Sequence, residues 1–160
     1  MICRKNILMA FAAAAAAAML FWMAFFEKAE VYGNSMEPDL KAGQTVMVDK
    51  LSYQFREPER YEIVVFSSAS EENRYYMKRI IGLPGETIQV KKGQIYVDGI
   101  LLEEPEEREL IQEARRAADP VILGPEEYFV LGDNRNNSSD SRDWNIGNVK
   151  KNQIIGRVVQ

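Results

Sequence analysis

From Asn6 to Phe26 the chain carries no charge, and this run narrows the folds open to it more than any other feature. It reads Asn-Ile-Leu-Met-Ala-Phe, then a tract of alanines, then Met-Leu-Phe-Trp-Met-Ala-Phe-Phe. A helix rises about 1.5 Å per residue, so about twenty such residues cross the ~30 Å core of a bilayer. Arg4 and Lys5 precede the run, and Glu27 and Lys28 follow it. Basic residues favour the cytoplasmic side, which puts residues 1–5 inside and the rest of the chain outside. Trp22, Phe25 and Phe26 suit an aromatic belt at the far interface. A cleaved signal peptide is the competing reading. The apolar core is long for that role, and Glu27-Lys28-Ala29-Glu30 offers no small-x-small cleavage site. A buried soluble helix fits less well, because the segment is apolar all round. The expectation is a retained transmembrane anchor over 6–26 and an extracytoplasmic domain over 27–160.

That domain is long enough for one packed core with a small elaboration. Its net charge of -4 makes no case for nucleic acid as a partner. Cys3 is the single cysteine, so no disulfide closes within the chain; beside an anchor it is a candidate for palmitoylation, against the plainer reading of an inert thiol. The chain has no histidine. A Ser-His-Asp triad is excluded, and a zinc site is disfavoured.

From Val31 the pattern is that of β-structure. Gln44–Asp49, Tyr61–Phe66, Tyr75–Ile81, Tyr128–Leu131 and Ile154–Val159 read as strands. Ile63-Val64-Val65-Phe66 is a continuous apolar run, as in a strand buried on both faces. Thr87–Val90, the turn Lys91–Gln94 and Ile95–Val97 read as a hairpin, and Asp98-Gly99 turns the chain again before Ile100–Leu102. Glu103–Ala118 is rich in charged helix formers and predicts one solvated helix, closed by Asp119-Pro120. Ser67–Asn73 reads as a polar loop.

Three segments carry reactive groups. Ser35 lies in Gly33-Asn34-Ser35-Met36-Glu37-Pro38, where the glycine permits close backbone approach and the proline stiffens the turn. A serine hydroxyl needs a base beside it, and here no histidine can serve. Lys78 lies in Tyr75–Gly82, sharing a strand face with Tyr76 and Ile80. A lysine acts as a base near neutral pH only when burial depresses its pKa from about 10.4. The third segment, Gly132–Arg142, is dense in turn formers, and Asp133, Arg135, Asp140 and Arg142 could lace it with charge-assisted bonds. Each segment alone has a plain reading: a Ser-x-x-Pro turn, a surface lysine with a packed stem, a polar loop.

Together, and in this order behind an anchor, the segments resemble those of the bacterial type I signal peptidases, membrane-anchored serine–lysine endopeptidases of protein export. The likeness covers the anchor, Ser-Met-x-Pro, Ile-Val-Val-Phe, Lys-Arg-Ile-Ile-Gly-Leu-Pro-Gly, Gly-Asp-Asn-Arg and the closing Ile-Ile-Gly-Arg. The resemblance implies a mostly β fold: two antiparallel sheets forming a catalytic core, with a small inserted β subdomain over about 87–122. It implies Ser35 as nucleophile, Lys78 as general base, and Ser138 as a hydrogen-bonding partner that orients the Lys78 amine. It further implies the ion pairs Asp140–Arg142 and Asp133–Arg79, and places Met36 in the substrate cleft. Some relatives carry a serine at the place of Gly33 as a second oxyanion donor, which a glycine does not supply. Tyr61-Glu62 replaces a usual Gly-Asp, Asp39 replaces a frequent threonine, and Asp143–Gly147 departs from aromatic-Trp-Gly. The implied substrates are exported preproteins at a bacterial plasma membrane, with no cofactor and no metal. Two rivals remain: a relative of the self-cleaving serine–lysine repressors, and a tethered binding module without activity.

Overall fold

The computed structural model describes residues 4–68 and 74–159. Cys3 and most of the polar loop expected at Ser67–Asn73 lie outside the described residues.

The chain begins with helix α1, Arg4–Phe25. Its described side chains from Ile7 to Ala24 are exposed, Phe11 and Leu20 among them. Among the described residues, no helix is long and apolar enough to cross a membrane. The helix passes without a break into strand β1, Phe26–Glu30, which no sequence pattern predicts. β1 has charges at three of its five positions, so no apolar alternation marks it. What holds it is backbone pairing along its whole length with β2, Thr45–Asp49.

The remaining strands are β3, Ile63–Ser67; β4, Tyr75–Gly82; β5, Thr87–Lys91; β6, Gln94–Val97; β7, Ile100–Leu101; β8, Val121–Ile122; β9, Glu127–Leu131; β10, Val149–Lys150; and β11, Ile154–Val159. They form two sheets with antiparallel neighbours throughout. One has seven strands in the order β1-β2-β11-β3-β4-β9-β10, the other four in the order β7-β6-β5-β8. The fold is mostly β with two antiparallel sheets, as expected, but the division differs from the expectation of a two-sheet core. All core strands join the larger sheet, and the second sheet is built wholly from Thr87–Ile122.

Three apolar clusters hold the layers. Val64, Phe66, Ile80, Tyr128 and Val130 pack on one face of the large sheet, and Val31, Met36, Leu40, Val46 and Ile63 on the other. β3 thus buries both its faces, which is why its sequence lacks alternation. The third cluster glues the small sheet to the large one through Ile88, Val90, Ile95, Leu123, Phe129 and Leu131. Gly82 allows this contact: a Cβ there would lie 2.7 Å from the Ile88 side chain.

The helix expected over Glu103–Ala118 does not form. Only Arg115–Ala118 is helical, as a short 3-10 turn, and the preceding residues are irregular. Tertiary contacts override helix propensity here. Glu104 pairs with Arg135, Arg108 with Asp39, and Asn136 donates to Glu109 and to the Leu110 carbonyl. Ile111 is buried, and its N–H donates to the Gly93 carbonyl. The segment is a strap bound across the polar loop that follows β9.

Candidate active site

β4 carries Lys78 into the interior. Its residue is only 4% exposed, because the side chain leaves the strand on the face occupied by Tyr76 and Ile80. β4 pairs with β3 over Tyr75–Arg79, but with β9 only from Arg79 onward. From Tyr75 to Lys78 the β9-side edge of the strand therefore has no β9 partner. The loop Val31–Leu40, anchored by buried Val31, Met36 and Leu40, lies alongside and delivers Ser35.

The Lys78 Nζ lies 2.7 Å from Ser35 Oγ and 3.0 Å from the Met77 carbonyl oxygen. The Tyr76 ring centroid is 5.8 Å from the same nitrogen. Burial pushes the Lys78 pKa down from 10.5 to about 8, against the opposing pull of the Asp140 and Asp133 carboxylates. A cleft of about 830 Å³ opens on the pair and is lined by Gly33, Ser35, Met36, Val65, Met77 and Lys78, among others. An amine that sheds its proton near pH 8 and contacts a hydroxyl at the wall of a cleft can act as a base toward that hydroxyl.

The loop after β9 forms the other wall, and its charges fix its shape. Arg142 is 1% exposed and grips Asp140 with two bonds of 2.8 Å, then donates to the Arg135 carbonyl at 2.6 Å. Asp140 also accepts from the Gly132 N–H, and the Ser141 hydroxyl from the Val130 N–H. Arg79 grips Asp133 in the same two-pronged way, at 2.7 and 2.8 Å. Such pairs are short and directional, so they fix the planes of the groups they join. Gly132 is required by space: a Cβ there would meet the Ser35 carbonyl oxygen at 2.5 Å and Ser138 Oγ at 2.2 Å.

Ser138 differs from expectation. Its hydroxyl is buried but makes no hydrogen bond with Lys78; it lies against Gly132 with no partner among the described residues. The Lys78 nitrogen bonds instead to the Ser35 hydroxyl and to the Met77 carbonyl of its own strand.

Three features escaped the sequence reading. Asp39 and Arg108 form a two-pronged pair at 2.8 and 3.1 Å, and Asp39 also accepts from Arg79 at 2.6 Å. Burial raises the Asp39 pKa, but the Arg108 hydrogen bond and the charges of Arg108 and Arg79 outweigh it and hold the carboxyl below its usual range. The only sequence signal was the charge at position 39 itself, four residues past Ser35. Arg135 is buried; its Nε donates to the Gly132 carbonyl of its own loop while its guanidinium tip grips Glu104 of the strap. Asn134 binds the backbone on both sides of Ser35, with its N–H donating to the Ser35 carbonyl at 3.0 Å and its side-chain amide to the Asn34 carbonyl at 3.1 Å.

Comparison with known proteins gives the family of the chain. Residues 4–160 match the family described as "Signal peptidase, peptidase S26". A probable signal peptidase I-2 of Synechocystis is 40% identical over 129 residues, covering 78% of this chain and 57% of that protein. Signal peptidase I of Leptolyngbya laminosa is 40% identical over 138 residues, covering 79% and 63%. Signal peptidase I of Bacillus caldolyticus is 40% identical over 144 residues, covering 83% and 77%. Against the first two, the chain spans about three fifths of the relative's length. The crystal structure of a signal peptidase I from Enterococcus faecalis superposes with a TM-score of 0.53 at 30% identity, over 66% of this chain and 98% of that one. The chain belongs to the signal peptidase family, peptidase S26.

Proposed function

We propose that the protein is a membrane-anchored serine endopeptidase that removes N-terminal signal peptides from exported preproteins. The observation that carries this reading is the buried Lys78 amine 2.7 Å from the Ser35 hydroxyl at the wall of a cleft.

Neutral Lys78 takes the Ser35 proton as Ser35 Oγ attacks the scissile carbonyl. The carbonyl oxygen gains negative charge, and the Ser35 backbone N–H stabilises it as one oxyanion donor. The Lys78 ammonium then gives its proton to the leaving amine, and the mature protein departs. The acyl group of the signal peptide remains on Ser35 until water, deprotonated by Lys78, attacks it. Throughout, the Arg79–Asp133 and Arg142–Asp140 pairs hold the loop beside the reacting atoms.

The substrate lies extended along the β4 edge that β9 leaves open, from Tyr75 to Lys78. Met36 and Gly33 line the cleft there, and small residues at the first and third positions before the scissile bond fit shallow pockets in such a wall. The anchor rests on the charge-free run Asn6–Phe26 and on the exposed apolar side chains of α1, which water solvates poorly. With residues 1–5 in the bacterial cytoplasm, the single span delivers the cleft to the outer face of the plasma membrane, where preproteins emerge.

Ser35→Ala and Lys78→Met each remove one half of the pair. Both are expected to lower preprotein cleavage about 10³-fold or more in a detergent-solubilised assay. Cleavage by either folded variant at the wild-type rate would end this reading.

A further inference from the structure

Asn134 lies outside the lining of the cleft, yet it is bonded to the backbone on both sides of the nucleophile. Its side-chain amide donates to the Asn34 carbonyl oxygen, which also accepts from the Glu37 N–H at 3.2 Å. Its own N–H donates to the Ser35 carbonyl oxygen. A peptide group is planar and trans, so its C=O and N–H point in opposite directions. The Asn34 carbonyl shares its plane with the Ser35 N–H. Holding that oxygen fixes the N–H on the opposite side of the same plane, and Gly33, Asn34 and Ser35 all line the cleft.

We propose that Asn134 is a positioning residue for acyl transfer: its amide fixes the peptide plane whose N–H, on Ser35, meets the oxyanion of the transition state. This rests on the Ser35–Lys78 reading above and adds a residue that neither reacts nor touches the substrate. Preorganised donors matter because they need no reorientation when charge develops; loss of one donor outright costs about 10²–10³-fold in kcat. Loosening its aim is worth less, and about 10- to 100-fold is expected here.

The test uses the full chain in detergent and the variant Asn134→Ala, which removes the amide, keeps the backbone bond and adds no charge. Three results are expected. The kcat for a preprotein falls about 10- to 100-fold while KM stays within about twofold. Affinity for a peptide boronic acid, whose Ser35 adduct is tetrahedral, falls by the same factor as kcat/KM, whereas affinity for the corresponding product peptide is unchanged. The pH at which activity rises stays at the wild-type value, because Lys78 is untouched. Equal losses for boronate and product peptide, or a shifted pH profile, would assign Asn134 a merely structural role and overturn the proposal. Should Asn134→Ala fail to fold, Asn134→Ser keeps a turn-forming residue too short to span the gap and is read in the same way. Ser35→Ala in the same assay separates the two ideas. An active Ser35→Ala sinks both, whereas an inactive Ser35→Ala beside an unimpaired Asn134→Ala sinks only this one.

Discussion

At the scale of one residue, Lys78 joins an expense to a use. Its ammonium is poorly solvated in the site, and burial brings its pKa to about 8. Activity is therefore expected to climb with an apparent pKa near that value and level off about one unit above, as Lys78 loses its proton in the free enzyme. A kcat/KM profile that still rises toward pH 10.5, the ordinary lysine value, would contradict a buried base. The same shift affects stability. The folded pKa lies below the unfolded one, so between about 8 and 10.5 the unfolded chain holds a proton that the folded chain lacks, and stability rises with pH through that window. Below the window the charged amine destabilises the fold by about 3 kcal/mol. Lys78→Met removes that term and forfeits two hydrogen bonds worth about 1 kcal/mol each. The inactive variant is thus expected to melt a few degrees above the wild type at neutral pH, with the advantage gone by about pH 9 and reversed above it. Thermal melts of the two proteins across pH check this, and a lower melting point for Lys78→Met at neutral pH would refute it.

At the scale of elements, the strap over residues 103–112 is what sequence patterning could not reach. Strands such as Ile63–Ser67 and Tyr75–Gly82 were legible because apolar runs between turn residues have few other uses in a folded chain. Local propensity favours a helix at Glu103–Ala118, but its charges are satisfied by residues distant in sequence, and nothing nearby announces Arg135, Asp39 or Asn136 as partners. β1 escaped for a related reason, since its strand form depends on pairing with β2 and not on its own charged sequence. In the site, each segment alone has a plain reading; Ser35 and Lys78 are singled out through the resemblance of the segments taken together, and the structure brings the two side chains side by side. That the Ser138 hydroxyl has no partner among the described residues, and that Asn134 bonds the backbone beside Ser35, was not legible, because hydroxyl and amide orientation depends on tertiary packing. The strap makes a prediction of its own. Arg108 is buried against Asp39, which retains Arg79 when Arg108 is lost. Arg108→Ala is therefore expected to destabilise by about 1–3 kcal/mol, less than a fully orphaned buried charge, and to speed amide hydrogen exchange within 103–112. Unchanged exchange there would mean that the strap is held by its other contacts alone.

At the scale of the whole molecule, the junction of α1 with β1 relates the cleft to the helix proposed above as an anchor. The helix ends at Phe25 and β1 begins at Phe26, so no flexible linker separates the apolar segment from the sheet. Trp22 stacks on Phe26 at 4.2 Å across that junction, and the Glu27–Lys50 pair follows at once, as suits a chain leaving lipid for water. Glu27, Lys28 and Ala29 also line the cleft that holds Ser35 and Lys78. On the proposed anchoring, Ser35 and Lys78 would be held close to the surface from which α1 emerges, where a preprotein tethered in the same bilayer would present its cleavage region. This geometry depends on α1 entering lipid. Ala15 is exposed near the middle of α1. An arginine at the centre of a membrane helix costs about 3 kcal/mol on insertion scales, enough to shift a marginal segment out of the bilayer. Ala15→Arg is expected to be released from membranes by an alkaline carbonate wash that leaves the wild type behind. In detergent, where no bilayer has to be crossed, the variant should still acylate Ser35 at the wild-type rate. Release of the wild type by the same wash would show that α1 is not an anchor. Loss of Ser35 acylation by Ala15→Arg in detergent would show that the helix supports the fold of the site itself and not its placement.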